Sequence, residues 1–196
     1  MTDTQARQFM KNFFERYYQK LEQEGDGISV MLPLDEADRD MWREDADPNE
    51  EWKAWKLIPS TVTDQDIETL EKTIGINLPQ CLNALLTVYH HYFGDPVGVN
   101  PVSAPFKAIR NAWNPLLVKH GYLPFTWDGD GFYIRCIDLT NMPNEEQCGV
   151  CQIDHEVLFS MDEETVQKEE IAQNMEYLSQ NLFTYLESIL DNGELS

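Results

Sequence analysis

The spacing of apolar residues changes along this chain of 196 residues, and that change constrains the fold more than any other feature. In the first half, apolar residues recur every three to four positions, as in amphipathic helices. Between residues 122 and 159 the period falls to two, as in strands, and the helical period returns after residue 160. Helices, then sequential strands, then a helix predict an α+β fold with an antiparallel meander of about four to six strands.

Four helices are predicted, over residues 9–21, 63–75, 79–94 and 160–191, and a shorter one within 106–113. The first carries an aromatic stripe, which must pack either on the main domain or on another chain. The second has the strongest local signals. Thr63 and Asp66 form a capping box at its start, and Gly75 suits its C-terminal end.

Strands are predicted over residues 122–127, 132–139, 149–153 and 157–159. The sequence Asp128-Gly129-Asp130-Gly131 between the first two predicts a tight hairpin turn with a residue of positive φ. Residues 28–59 lose the periodicity, and we interpret them as an acidic connector whose tryptophans dock onto the fold. The expected organisation is an N-terminal helix with this connector (1–51), an α+β domain (52–191) and a tail (192–196).

The net charge of −21 is concentrated in two segments. Residues 22–51 hold twelve acids and two arginines, net −10, and residues 145–196 hold thirteen acids and one lysine, net −12. So acidic a chain repels the phosphate backbone of nucleic acid and an anionic membrane surface. The acidic segments are either solvated faces or a surface that recognises a cation-rich partner.

No motif in the sequence predicts a catalytic, metal or cofactor site. Cys148 and Cys151 have the spacing of a redox pair, but they fall in a predicted strand, where positions three apart point to opposite faces. The four histidines lack metal-ligand spacing. Asp128-Gly129-Asp130-Gly131 begins like a calcium loop but has no glutamate at position twelve, which favours the hairpin turn. We therefore expect a protein that is not an enzyme and uses no cofactor.

Several ordered motifs resemble the SUKH superfamily. The stretch 55–79 ends in Gly75-Ile76-Asn77-Leu78-Pro79, which is similar to the superfamily's opening helix, glycine and Leu-Pro. Residues 123–139, 149–156 and 183–190 are similar to its central strands and terminal segment. Residues 92–95 and the long loop 95–121 depart from the pattern, so no contacts are carried over to them. The resemblance implies an α+β fold and a non-enzymatic role: bacterial members are immunity proteins that neutralise toxins, often nucleases, and eukaryotic relatives are regulators or scaffolds.

Three functions follow as hypotheses. The first is a cytoplasmic immunity protein that binds a basic toxin through the hairpin and its neighbours; the candidate contact residues are Trp127, Asp128, Asp130, Tyr133, Glu145, Glu146 and Glu156. The second is a regulatory or scaffold module that docks through the aromatic helix of residues 1–51. The third is a thiol-redox protein that uses Cys148 and Cys151. A cytoplasmic location is expected because the N-terminus does not resemble a secretory signal and the cysteines form no disulfide framework.

Overall fold

A four-stranded antiparallel sheet organises the fold in this computed structural model, which describes residues 2–192. Its strands, in their order across the sheet, are β6 (Tyr122–Trp127), β7 (Tyr133–Asp138), β8 (Val150–Asp154) and β9 (Glu176–Ser179). The pairing of Tyr133 with Asp154 and of Ile137 with Val150 fixes the register of the two central strands. The sheet confirms the predicted meander and α+β class. Its fourth strand is β9, however, and residues 157–159 lie in a helix.

The remaining strands form two smaller antiparallel sheets. They are β1 (Met31–Leu32), β2 (Lys53–Ala54), β3 (Ile58–Pro59), β4 (Tyr89–Gly94) and β5 (Gly98–Asn100). The helices are α1 (Asp3–Gln23), α2 (Asp64–Ile74), α3 (Gln80–Thr87), α4 (Lys107–Ala112), α5 (Pro115–Lys119), α6 (His155–Ser160), α7 (Lys168–Gln173) and α8 (Leu182–Asn192). Among the described residues, no helix is both long and apolar enough to cross a membrane.

The aromatic stripe of α1 packs into the core of the same chain, against α3, β4 and α8. Its buried members are Ala6, Met10, Phe13, Phe14 and Tyr17. Each large side chain of this kind contributes about 1.5–3 kcal/mol when it is fully buried. Of the two alternatives predicted for this stripe, the structure shows packing on the main domain, because its apolar face is covered by the protein itself.

The predicted third helix is too long: α3 ends at Thr87, and residues 89–94 form β4. Aromatic residues at these positions satisfy both the helical and the strand spacing, so the local pattern cannot separate the two. Contacts with segments distant in the sequence select the strand. β4 pairs with β3 and β5, and both ring nitrogens of His90 bond to neighbouring segments, one to Thr61 and one to the carbonyl oxygen of Asn100.

The acidic connector is anchored to the fold through buried side chains. Trp42 and Trp55 are buried, as predicted, whereas Trp52 is exposed. Asp38 is only 3% exposed, and it accepts hydrogen bonds from the hydroxyl of Tyr92 and from the amide and hydroxyl of Ser103. Although burial opposes ionisation, these hydrogen bonds hold the pKa of Asp38 below its ordinary value. The connector is therefore part of the packed structure.

The single helix predicted over residues 160–191 is also wrong, because this stretch contains α7, β9 and α8. Ser160 ends α6, and its hydroxyl donates to the carbonyl oxygen of Val157 instead of capping a new helix. β9 is extended because it pairs with β8, a contact that the local sequence does not encode. Of the predicted tail, only Asn192 is described, as the last residue of α8; residues 193–196 lie outside the described part.

Candidate functional site

The turn between β6 and β7 has the tight geometry that its sequence predicts. The amide of Asp128 donates to the carbonyl oxygen of Tyr133, and its carboxylate accepts from the Tyr133 amide, both at 2.9 Å. Gly131 has a φ of 76°, which glycine adopts without strain. Asp130 is exposed at the tip. The turn thus holds one aspartate by hydrogen bonds and presents the other to solvent.

One face of the sheet ends at the hairpin in a row of aromatic side chains, which we name the aromatic ledge: Trp127, His155 and Phe159. The ring centroids of Trp127 and His155 lie 5.5 Å apart, and those of His155 and Phe159 lie 5.7 Å apart. His155 binds the carbonyl oxygen of Phe132 through both its backbone amide and Nδ1. These contacts join the hairpin to the first turn of α6.

The other face of the sheet ends at the hairpin in a cleft of about 720 Å³, which we name the acidic cleft. The acidic residues along it are Glu24, Asp95, Asp128, Asp130 and Glu176. Aromatic and apolar side chains complete its walls, including Tyr17, Phe93, Phe132 and Tyr133. Phe132 lines the cleft, and its carbonyl oxygen binds His155 of the aromatic ledge, so the two surfaces adjoin at this residue.

The floor of the acidic cleft is a row of polar side chains across three strands. Arg135 on β7 pairs in register with Gln152 on β8, and Gln152 pairs with Glu176 on β9. The amide of Gln152 donates to the Glu176 carboxylate at 2.8 Å. Among the described residues that line the cleft, Arg135 is the one cation, and it forms an ion pair with Asp95.

Burial governs the electrostatics of this ion pair. The side chain of Arg135 is 5% exposed and that of Asp95 is 31% exposed. Burial raises the pKa of the Asp95 carboxyl, and the adjacent Arg135 guanidinium opposes that rise. Because the one cation already has a carboxylate partner, the other acids of the cleft keep the electrostatic potential there negative.

The sequence-predicted contact residues divide into two groups. Asp128, Asp130 and Tyr133 line the acidic cleft, while Trp127 belongs to the aromatic ledge and Glu156 follows His155 on α6. These five lie at the hairpin end of the sheet.

Glu145 and Glu146 precede β8, next to the opposite end of β7. The Glu145 carboxylate accepts hydrogen bonds from the backbone amides of Gln80 and Cys81 at the start of α3, which gives it a structural role. A partner-binding role for either glutamate stays a prediction.

Sequence reasoning missed several residues of this region. His155 and Phe159 are four apart on one short helix, and that spacing was a usable signal. Glu24, Asp95, Arg135 and Glu176 come from four distant parts of the chain. No local pattern could have placed them in one cleft.

The cysteine arrangement differs from the one that the Cys148–Cys151 spacing suggests. Cys148 precedes β8 and packs into one hydrophobic cluster, whereas Cys151 lies on β8 and packs into another. The residue opposite Cys151 in the ladder is Cys136. All four cysteines are free and buried, and burial raises the pKa of Cys151 to about 12. A buried, protonated thiol is a poor nucleophile, so these contacts do not support thiol-redox chemistry.

Within residues 2–192, no group of three or more histidine, cysteine, aspartate or glutamate side chains is arranged to hold a metal ion. His91 is buried in an aromatic cluster, with its ring centroid 5.0 Å from that of Phe14 and 4.8 Å from that of Phe93. At the hairpin end, exposed aromatic and acidic side chains adjoin.

A meander sheet packed with N- and C-terminal helices, presenting aromatic and acidic side chains at one end, defines an α+β domain. The model of the SMI1 / KNR4 family (SUKH-1) matches residues 61–187, and the chain belongs to this family. Domains of this family occur in immunity proteins and related regulators, and they are generally non-enzymatic binding modules. No curated protein matches the chain at a significant level. α1 and the connector precede the matched region, yet they pack into the same core.

Proposed function

We propose that this protein is an immunity protein that binds and neutralises a cognate toxin, with the hairpin end as its binding surface. The family supports this role, because its domains occur in immunity proteins. The proposed toxin is basic, and a nuclease is the leading class, since nucleases grip phosphates with cationic side chains. Neutralisation is by direct binding, without a catalytic step.

The observation that carries the proposal is the convergence of distant acids at the acidic cleft. Glu24 belongs to the segment of net charge −10, and Glu176 belongs to the segment of net charge −12. Asp128 and Asp130 join them from the nearly neutral middle of the chain. Carboxylates gathered on one concave surface attract a cationic protein and speed its association. They can occupy the positions that phosphates take on a nuclease.

The four free, buried cysteines fit a reducing compartment, because thiols persist unpaired where glutathione and thioredoxin keep them reduced. We therefore place the proposed function in the cytoplasm, where a toxin with a nucleic-acid target would act.

The test is co-expression with the product of an adjacent toxin gene, followed by titration calorimetry of the purified pair. The wild-type chain should restore growth and form a one-to-one complex. The double variant Glu24→Lys/Asp130→Lys should weaken binding by about 100-fold, because it places two cations in the acidic cleft. Both residues are exposed, so the fold should be retained.

A matched control changes the net charge equally elsewhere. Glu51 and Glu68 are exposed and line neither the acidic cleft nor the aromatic ledge. The variant Glu51→Lys/Glu68→Lys should therefore bind within about threefold of wild type, through loss of long-range steering alone. Equal loss in both variants would show that net charge, and not this surface, controls binding. Absence of a complex and of protection with the wild-type chain would refute the function for that toxin.

A further inference from the structure

The aromatic ledge is exposed and rigid at the same time. Its Phe159 is 63% exposed, and the adjoining Phe132 is 56% exposed. The indole Nε1 of Trp127 donates to the carbonyl oxygen of Asn111 at 3.1 Å, and Nδ1 of His155 donates to that of Phe132 at 2.9 Å. These bonds hold the rings of Trp127 and His155, and Phe159 packs on the ring of His155. A rigid exposed surface loses little conformational entropy when a partner covers it.

Carboxylates adjoin the aromatic ledge along the chain. They are Asp128 and Asp130 in the turn, and Asp154 and Glu156 at the start of α6. The Asp154 side chain caps α6 by accepting from the Glu156 amide at 2.7 Å, while Glu156 itself is exposed. An aromatic surface beside acids is complementary to a cation, because the ring face and the carboxylate both attract positive charge.

The protein places its own cations over aromatic rings elsewhere. The guanidinium of Arg39 lies 5.7 Å from the ring of Trp42, and that of Arg110 lies 5.7 Å from the ring of Phe106. Within residues 2–192, no cation of the chain lies over a ring of the aromatic ledge. The ledge therefore has the aromatic and acidic components of a cation–π site without the cation.

We propose that the aromatic ledge binds an arginine side chain of the protein partner, whose guanidinium stacks on the exposed ring of Phe159. The neighbouring carboxylates balance its charge. This inference rests on the proposed function and identifies the partner's contact residue. Arginine suits the site better than lysine, because its planar guanidinium stacks on rings and is more weakly hydrated. A second copy of the chain is a poor occupant, because two chains of charge −21 repel each other.

Two peptide probes test the chemistry of the ledge without the toxin. Hexa-arginine and hexa-lysine carry the same charge, so general attraction to an acidic protein affects both equally. Titration calorimetry at 150 mM salt should show hexa-arginine binding about tenfold more tightly than hexa-lysine to the wild-type chain. Phe159→Ala should reduce this ratio to near one.

The matched control is Tyr177→Ala, because Tyr177 is 67% exposed on β9 and does not belong to the aromatic ledge. This variant should keep the tenfold ratio. Since the Tyr177 and Phe159 side chains are largely exposed, their removal should leave the thermal unfolding temperature nearly unchanged, which circular dichroism checks. Equal affinity of the two peptides for the wild-type chain, or an equal effect of Tyr177→Ala and Phe159→Ala, would overturn the proposal.

The toxin assay separates this inference from the proposed function. If Phe159→Ala neutralises the toxin fully while Glu24→Lys/Asp130→Lys does not, the function stands and the ledge is not the anchor. If the wild-type chain neutralises no toxin, the function fails, and the peptide comparison still decides whether the ledge selects arginine.

Discussion

His91 should make the stability of this protein fall as the pH decreases. Its side chain is fully buried among aromatic rings, and its Nδ1 has no hydrogen-bond partner. Burial, followed by the charge of His90, lowers the pKa of His91 from 6.5 to about 3. Its folded pKa is thus depressed below the unfolded value. The corresponding stability is complete above pH 6.5 and is lost as the pH falls toward 3, because only the unfolded chain takes up the proton.

The magnitude at pH 5 follows from these two values. The unfolded imidazole is almost fully protonated at pH 5, while the folded one stays neutral, so the free energy of unfolding drops by about 2 kcal/mol relative to pH 7.5. The size of this drop is set by the pKa of His91 in the unfolded chain, because any pKa well below 5 in the folded chain gives nearly the same drop. Replacing the imidazole with a phenyl ring, in His91→Phe, should abolish this contribution.

The assay is urea unfolding of the wild-type and variant chains at pH 7.5 and pH 5. The difference between the two chains isolates His91, since all other titrating groups are shared. On going from pH 7.5 to pH 5, the free energy of unfolding of His91→Phe should rise by about 2 kcal/mol relative to that of the wild-type chain. A control, Phe93→Leu, alters the same aromatic cluster without a titrating group, so its effect should not depend on pH. A gain below about 1 kcal/mol for His91→Phe would refute the assignment of a neutral, buried His91.

Three further changes test the packing. Asp38→Ala should lower the free energy of unfolding by about 3 kcal/mol in urea, because it leaves the Tyr92 and Ser103 donors without their acceptor; a loss under 1 kcal/mol would contradict this. Phe14→Ala should lower the free energy of unfolding by about 3–5 kcal/mol, since it opens a cavity in the core. An unchanged melting temperature in calorimetry would show that α1 is peripheral. Glu145→Ala should lower the free energy of unfolding by about 1 kcal/mol, because it removes a helix cap, and it should leave the toxin affinity unchanged. Weaker toxin affinity with unchanged stability would instead place Glu145 in the interface.

Local signals predicted the elements that are stabilised locally. The capping box between Thr63 and Asp66 is present, with both reciprocal hydrogen bonds, and Gly75 ends α2 at a φ of 77°. The turn at Asp128–Gly131 likewise forms where its sequence places it. These features depend on hydrogen bonds within a few residues, so the sequence contains all the partners.

The failures occur where distant partners decide the structure. Residues 89–94 satisfy both the helical and the strand period, and pairing with β3 and β5 selects the strand. Residues 176–179 become β9 because β8 offers an edge to pair with. The candidate site follows the same rule: the turn residues were predicted together, but the walls of the acidic cleft were not.

The sequence by itself determined the α+β class, the hairpin, the family resemblance and the existence of two segments of net charge −10 and −12. Only the tertiary structure decided that the two segments meet, through Glu24 and Glu176, in one cleft beside Asp128 and Asp130. Charge repulsion alone would keep such acids apart. They converge because α1 is buried in the core and β9 pairs with β8, and these contacts bring the neighbouring acids to the same end of the sheet.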